Sequence, residues 1–351
     1  MGGLTSYFIR RFLLVIPTFL GITLIFFTIL QIVPGGPLEQ EIMKLRAGMA
    51  SLGGGEGGGG GGGGAMGAVE IPAEAMDQMK KFYGMDKPIL ARYGIWLWNV
   101  LHLDLGTSYV YAEPVWDVIK SRFPVSIYFG VIGFLLSYTI CIPLGVFKAI
   151  KHGSKFDLGS SVLVFIGYST PGWALGLVLL VLLGGGSFWN LVPLGEFRAE
   201  NFDQLTFFGK IANQAHHTIL PVIAYMIGGF ATLTIVMKNS LLENLGQDYV
   251  RTAFAKGLPE KRVIFVHALR NSLIPLATGV GHLIGIFLAG NFLIERTFNI
   301  NGIGLLGYQS LIQRDYPIVL GFLVISGMLG LIGNILSDIA YAVVDPRIRF
   351  K

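Results

Sequence analysis

Charge is what this 351-residue sequence has least of. Asp, Glu, Lys and Arg together make up 13% of it, against 53% hydrophobic residues and a mean hydropathy of +0.64. Soluble domains carry about a quarter of their residues as charges, so the composition excludes an ordinary soluble protein. Cysteine is nearly absent. Cys141 stands alone inside an apolar run, which excludes a disulfide within the chain and any Cys-based metal site; it reads as a small buried apolar side chain. No G-x-x-x-x-G-K-[ST], H-E-x-x-H or G-x-S-x-G occurs, so the chain has no phosphate cradle, zincin helix or nucleophile elbow of its own. The net charge of +5 does not point to nucleic acid, because the basic residues cluster beside hydrophobic spans.

What the chain does have is long uncharged blocks. Arg10 and Arg11 precede a run from Phe12 to Val33 that is long enough to cross about 30 Å of hydrocarbon as a helix. It is too long for a signal-peptide core, and no small-residue cleavage site follows. Pro34-Gly35-Gly36-Pro37 ends it. Five more spans are predicted, at about Val125–Phe147, Ser160–Leu183, Thr218–Met237, Leu273–Leu293 and Tyr316–Val343. Pro143, Pro171 and Pro221 fall within or at the ends of these runs, breaks that membrane helices tolerate. Gly279, Gly281, Gly285 and Gly290 in the fifth span, and Gly321, Gly327, Gly330 and Gly333 in the sixth, suit close helix–helix contact. The expectation is an all-α membrane protein with about six transmembrane helices and both termini on one side.

Between the first and second spans lies a polar, loop-rich stretch. It holds GGGEGGGGGGGG (53–64), a low-complexity tether that cannot form a packed core. Helices are expected near Ala73–Tyr83 and Ile89–Leu103, and Trp96, Trp98 and Trp116 suit a segment resting at the membrane interface. The boundaries follow: 1–34 as N-terminus and first span, 35–123 as an extracytoplasmic loop, 124–345 as a five-helix core with a coupling loop at 241–272, and 346–351 as a tail. The positive-inside rule gives the orientation. Arg10, Arg11, Lys148, Lys151, Lys155, Lys238, Arg251, Lys256, Lys261, Arg262, Arg270, Arg347, Arg349 and Lys351 fall on one side, against Arg198, Lys210, Arg296 and Arg314 in the short loops of the other. The richer side is cytoplasmic, and both termini with it.

One polar segment stands out on that side, Asp248 to Pro275. Val250, Ala253, Phe254 and Gly257 recur at the spacing of one helical face. Gly257 suits the left-handed position that ends a helix, and Pro259 the start of another. Val263, Val266, Leu269 and Leu273 continue as a second apolar stripe, while Arg251, Lys256, Lys261, Arg262 and Arg270 supply charge. The expected shape is a bent pair of short helices forming a ridge at the membrane surface.

Polar groups within spans are costly, so each requires a reading. Asn334 and Asp338 sit four apart on one face of the sixth span, where Asp338 either pairs with a basic residue of the ridge or snorkels. His282 in the fifth span lines a pathway or hydrogen-bonds between helices. His216 and His217 precede the fourth span with no further metal ligands in view. Glu295 and Asp315 flank the last outer loop, where they would meet a peptide's amino group or a binding protein, or stand solvated.

The ridge resembles the EAA loop of permease subunits of binding-protein-dependent ABC importers, with Ala253, Gly257, Ile274 and Pro275 at its fixed places. Arg251 stands where the naming Glu would be, which is similar to the peptide branch rather than the sugar branch. The blocks YFIRRFLLVIPTFLG with its PGGP exit, YGMDKPILARY, DLGTSYVYAEPVWDVI, LIERTFNINGIGLLGYQSLIQRDYPIV and DIAYAVVDPRIRF resemble dipeptide, oligopeptide and nickel permeases in that order, nearest the B-type subunit of oligopeptide and microcin C importers. The resemblance implies a type I ABC importer permease fold in a bacterial inner membrane, in contact with membrane lipid and not with nucleic acid. It also implies a non-catalytic subunit whose partners are a homologous second permease, two ATPase subunits or domains carrying ATP and Mg, and an extracytoplasmic substrate-binding protein. Arg251, Ala253, Phe254, Lys256, Gly257, Leu258, Lys261 and Arg262 would then form the ATPase-coupling surface, Phe254 and Leu258 its apolar part, with His282 and Glu295 as pathway residues. The rival readings are a nickel-importer subunit of the same family and a secondary transporter. The latter would carry coupling-ion residues at mid-membrane.

Overall fold

The protein is described here by a computed structural model covering residues 2–36, 38–43, 45, 72–82, 84–186, 188–279 and 290–344. Among the described residues it is helical, with no strand beyond two isolated bridges, Thr107 with Pro114 and Gly184 with Val192. The Gly-rich tether, His282 and the tail 346–351 lie outside the described residues, as does the side chain of Asp338. The helices are α1 (Gly2–Ile32), α2 (Ala73–Phe82), α3 (Ile89–Leu101), α4 (Val115–Ile150), α5 (Lys155–Ser169), α6 (Gly172–Leu183), α7 (Phe207–Leu245), α8 (Asp248–Ala255), α9 (Glu260–Arg262), α10 (Leu269–Ser272), α11 (Ile274–Gly279), α12 (Phe292–Thr297), α13 (Ile303–Ile312) and α14 (Tyr316–Val344).

Four stretches are long and apolar enough to cross a membrane: Ile9–Ile32, Val115–Ile150, Phe207–Leu245 and Tyr316–Leu336. Pro124 and Pro143 lie inside α4, and Pro221 inside α7, without breaking either helix. At 1.5 Å per residue, the 39 residues of α7 reach about 58 Å. That is about twice the hydrocarbon thickness, so α7 continues well past the span of Thr218–Met237 read from hydropathy. Of the expected fifth span only the ends are described, since residues 280–289 fall outside.

The third expected span, Ser160–Leu183, is not one helix. It is the pair α5 and α6, bent by 99°. Pro171 lacks an N–H to continue the ladder and forces the residue before it out of helical geometry; Thr170 has φ −101° and ψ 119°. The Thr170 hydroxyl donates to the Ile166 carbonyl at 2.9 Å, satisfying one acceptor that the break leaves open. Past the break α6 packs against α7 so closely that a Cβ on Gly172 would stand 2.3 Å from the Ala224 carbonyl oxygen.

The chain divides into two compact units. The first holds α5–α12 with most of α4. It has an apolar cluster of Phe129, Leu180, Leu220, Val222, Ala224, Ile294, Phe298 and Ile300, and a second cluster described below. The other unit holds most of α1, α2 and α3, and the segment around Tyr316. There Phe27, Leu30, Tyr316 and Leu320 are buried together, with Tyr93 and Trp96 packed against them. Trp96 thus packs within its unit, centroid 5.6 Å from Phe27, whereas Trp98 and Trp116 are exposed. In the same unit Asp315 is fully buried. Its carboxylate accepts from the Ser108 hydroxyl and from the backbone N–H groups of Tyr109 (3.1 Å) and Val110 (3.3 Å). The expectation of a solvated or peptide-facing loop charge is corrected here: Asp315 clamps the loop 106–114.

Candidate functional site

The ridge begins where α7 ends. α8 stops at Ala255, and Gly257 takes φ +78°, as the sequence requires of a helix-ending glycine. The Gly257 N–H donates to the Phe254 carbonyl at 2.9 Å and the Leu258 N–H to the Ala253 carbonyl at 3.4 Å. These two bonds form a Schellman turn, whose hydrophobic contact joins the second residue past the cap to the last turn of the helix. Leu258 is that residue. It is half-buried and packs against the same apolar cluster as Ala253. Pro259 then leads into α9.

The second half of the ridge departs from the expected periodicity. Val263–Ala268 is a π-helical turn between α9 and α10. Its wider turn buries Val263, Ile264 and Ala268 and leaves Phe265 and Val266 exposed. The stripe Val263, Val266, Leu269, Leu273 is therefore corrected at Val266, because five-residue spacing replaces three-and-four.

What holds the ridge in place is one apolar cluster. Val146 and Ala149 from α4, Met237 and Leu241 from α7, Val250, Ala253, Val263 and Ala268 from the ridge, and Leu276 are all buried in it. Ser240 and Ser272 add reciprocal hydroxyl-to-carbonyl bonds at 3.0 and 3.3 Å. Each buried Val or Leu side chain contributes about 1.5–3 kcal/mol, so the ridge is part of the folded body and not a loose loop.

The outer face is basic and aromatic. Arg251, Lys256, Lys261, Arg262 and Arg270 are exposed, and Phe254 is 47% exposed. Arg251 meets Asp248 at 3.5 Å with both side chains largely in solvent, a pairing worth little, so its charge remains available. Of the two expected apolar contacts Phe254 faces outward, while Leu258 closes the Schellman turn from inside.

Beside the ridge the end of α4, the first turn of α5 and α7 at Lys238 meet at an ion cluster around buried Asp157. Asp157 receives Lys238 on both carboxylate oxygens at 2.8 Å and Lys148 at 3.1 Å. Gly153 N–H (3.2 Å) and His152 Nδ1 (3.3 Å) also approach it. The Lys148 ammonium, 1% exposed as a residue, further reaches the Asp157 carbonyl and the Ser160 and Ser161 hydroxyls at 2.7–3.0 Å.

Far along α7 from the ridge, Glu295 is also buried. Its carboxylate accepts from Leu305 N–H (2.6 Å), Gly304 N–H (3.3 Å) and the Tyr225 hydroxyl (3.1 Å). Burial raises its pKa above the ordinary carboxylate value, against the opposing hydrogen bonds of Leu305 and Tyr225. Glu295 thus braces the first turn of α13, where donors gather at a helix start, and the expectation of a solvated loop charge is corrected. His216 Nε2 lies 2.8 Å from the Leu191 carbonyl and His217 Nδ1 3.2 Å from that of Gly195, so both rings fasten the loop after α6. Asn334 is exposed.

Residues 141–350 match the family described as "Binding-protein-dependent transport system inner membrane component". The chain belongs to that family. Full-length relatives agree. The chain is 41% identical over 360 residues to "Inner membrane ABC transporter permease protein YejB" of Escherichia coli O157:H7, covering 99% of each. It is 40% identical to "Peptidoglycan transport system permease protein YejB" of Agrobacterium fabrum, covering 99% of this chain and 98% of that one. It is 35% identical to "Oligopeptide transport system permease protein AppB" of Bacillus subtilis, covering 99% and 100%. The fold is accordingly that of a type I ABC importer permease.

Two features of this permease were missed in the sequence. The π turn has no signal in apolar spacing, and it brings Phe265 outward where only Phe254 was expected. Asp157 did have a signal. It is the one acidic residue between Asp117 and Glu196, among Lys148, Lys151, His152 and Lys155, and it follows Ser154 at capping-box spacing. Read only as membrane-side charge, the lysines hid their partner.

Proposed function

We propose that this chain is the non-catalytic membrane subunit of an ATP-driven, binding-protein-dependent importer of peptides or peptide-like compounds, and that the ridge is the part gripped by a cytoplasmic ATPase. The observation that carries the coupling role is the ridge itself: a short amphipathic helix closed by a Schellman turn, fixed by one apolar cluster to α4 and α7, with basic groups and Phe254 facing out. A firmly seated projection transmits a push as rigid-body motion of the helices it is packed on.

The clustering of basic residues around the ridge supports an orientation with the ridge and both termini in the cytoplasm of a bacterial cell. ATP and Mg then belong to partner ATPase subunits, and half of the pathway to a second, homologous permease. A substrate-binding protein on the outer side selects the cargo. The relatives' names, oligopeptide in one case and peptidoglycan in another, favour a cargo with a peptide portion over nickel.

The experiment is co-purification of the chain with its neighbours, reconstitution into vesicles, and a screen of the binding protein against short peptides, peptidoglycan fragments and nickel. ATP-dependent uptake of a peptide-bearing compound supports the reading. Nucleotide-independent accumulation by this chain alone, or a binding protein that takes only nickel, overturns it.

A further inference from the structure

We propose that Asp157 is a positioning residue of the transport cycle, tying the first turn of α5 to α7 so that movement of the ridge is carried to the broken pair α5–α6. The inference rests on the ridge being the ATPase contact.

The apolar cluster that seats the ridge joins α4, α7 and the ridge, and no residue of α5 belongs to it. One face of α5 points away from this chain, with Leu158, Leu163 and Phe165 each at least two-thirds exposed, while Val164 on the other is buried. Along α5 and α7 runs an open groove of about 760 Å³, lined by Val162, Val164, Phe165, Tyr168 and Ile235 and reaching Lys148 and Lys238. α5 therefore has one packed side, where Val164 is buried midway along it, and one open side along the groove. At the far end Gly167 lies against Ile227, where a Cβ would come within 2.9 Å, and the 99° break follows at once. At the near end the attachment is Asp157.

That attachment is directional. Lys238 engages both carboxylate oxygens from α7 while Lys148 engages one from α4. Lys238 is one residue beyond Met237 and three before Leu241, both fully buried in the ridge cluster. A shift of the ridge that moves this stretch of α7 moves Asp157 with it, and α5 turns about the break at Thr170–Pro171.

The test uses the assembled transporter in vesicles. Asp157→Asn is compared with the triple variant Asp157→Asn/Lys148→Met/Lys238→Met, which removes the tie without stranding the buried Lys148 ammonium or the partly buried one of Lys238, a replacement that proteins often accept. The expected result for both is retained association with the ATPase, ATP hydrolysis close to normal, and transported peptide per ATP reduced about tenfold, within the range of known couplings between sites. Should Asp157→Asn fail to insert, the triple variant decides. Normal peptide per ATP in the triple variant overturns the proposal, because the cluster then serves only to stabilise the fold, and so does loss of ATPase association in the triple variant. Failure of the underlying reading is recognised separately, by a Phe254→Ala chain that keeps Asp157 and still binds and couples to the ATPase normally.

Discussion

Gly257 is the position at which backbone geometry and partner contact can be separated by experiment. At φ +78°, with no atom within 4 Å of where a Cβ would stand, a side chain there meets no steric barrier in the chain by itself. The cost comes from the backbone, about 1–2 kcal/mol for an L-residue in the left-handed region. That shifts the balance between the closed Schellman turn and an open one about 5–30-fold. Asn, which visits this region more readily, should lose least. In the unassembled subunit Ala and Trp should then open the turn equally, as read by limited proteolysis at 255–260. In the assembled transporter they should differ. If Gly257 faces the ATPase, the Trp ring collides with it, so Gly257→Trp should lose uptake far beyond Gly257→Ala while inserting normally. Uptake is measured in vesicles with ATP, alongside ATP hydrolysis. Near-normal uptake by Gly257→Trp in a normally assembled complex would refute the reasoning.

Three further outcomes follow from the geometry. Ala253→Asp places an unpaired charge at a site 7% exposed and should cost several kcal/mol, visible as loss of the ridge's protease resistance. Phe254→Ala should leave thermal stability of the isolated subunit within about 0.5 kcal/mol yet weaken ATPase association by about 1–3 kcal/mol, as an aromatic anchor does; co-purification at graded ATPase concentrations reads it. Asp315→Ala removes the acceptor for Ser108, Tyr109 and Val110 and should cost about 1–3 kcal/mol for donors left buried, appearing as new cleavage within 106–114 and partial recovery in Asp315→Asn.

The parts legible in the sequence were those where one residue type is demanded by local geometry. Gly257 and Pro259 announced the ridge because few other residues take a left-handed cap and a non-donating helix start. The uncharged runs announced α1, α4, α7 and α14 because hydrocarbon admits little else. Hydropathy could not reveal that Pro171 breaks its span when Pro143 and Pro221 leave theirs continuous, since the three prolines share one chemistry and differ in what packs around them. Gly172 against the Ala224 carbonyl supplies the packing that holds the bent form. Buried carboxylates were misread for a related reason. Glu295 and Asp315 look like loop charges along the chain, and only the fold shows each one filled by backbone N–H donors. Asp157 was overlooked because its partners lie 9 residues away on one side and 81 on the other.

The most direct measurement of the central claim is site-specific cross-linking at the ridge. Cys141 is the chain's one cysteine and is buried, so Lys256→Cys in a Cys141→Ala background keeps Phe254 and places a single reactive thiol on the ridge's exposed face. In the assembled, transporting complex a thiol-directed photo-cross-linker at that position should capture the ATPase subunit. A fully active transporter in which that thiol never reaches the ATPase would contradict the account.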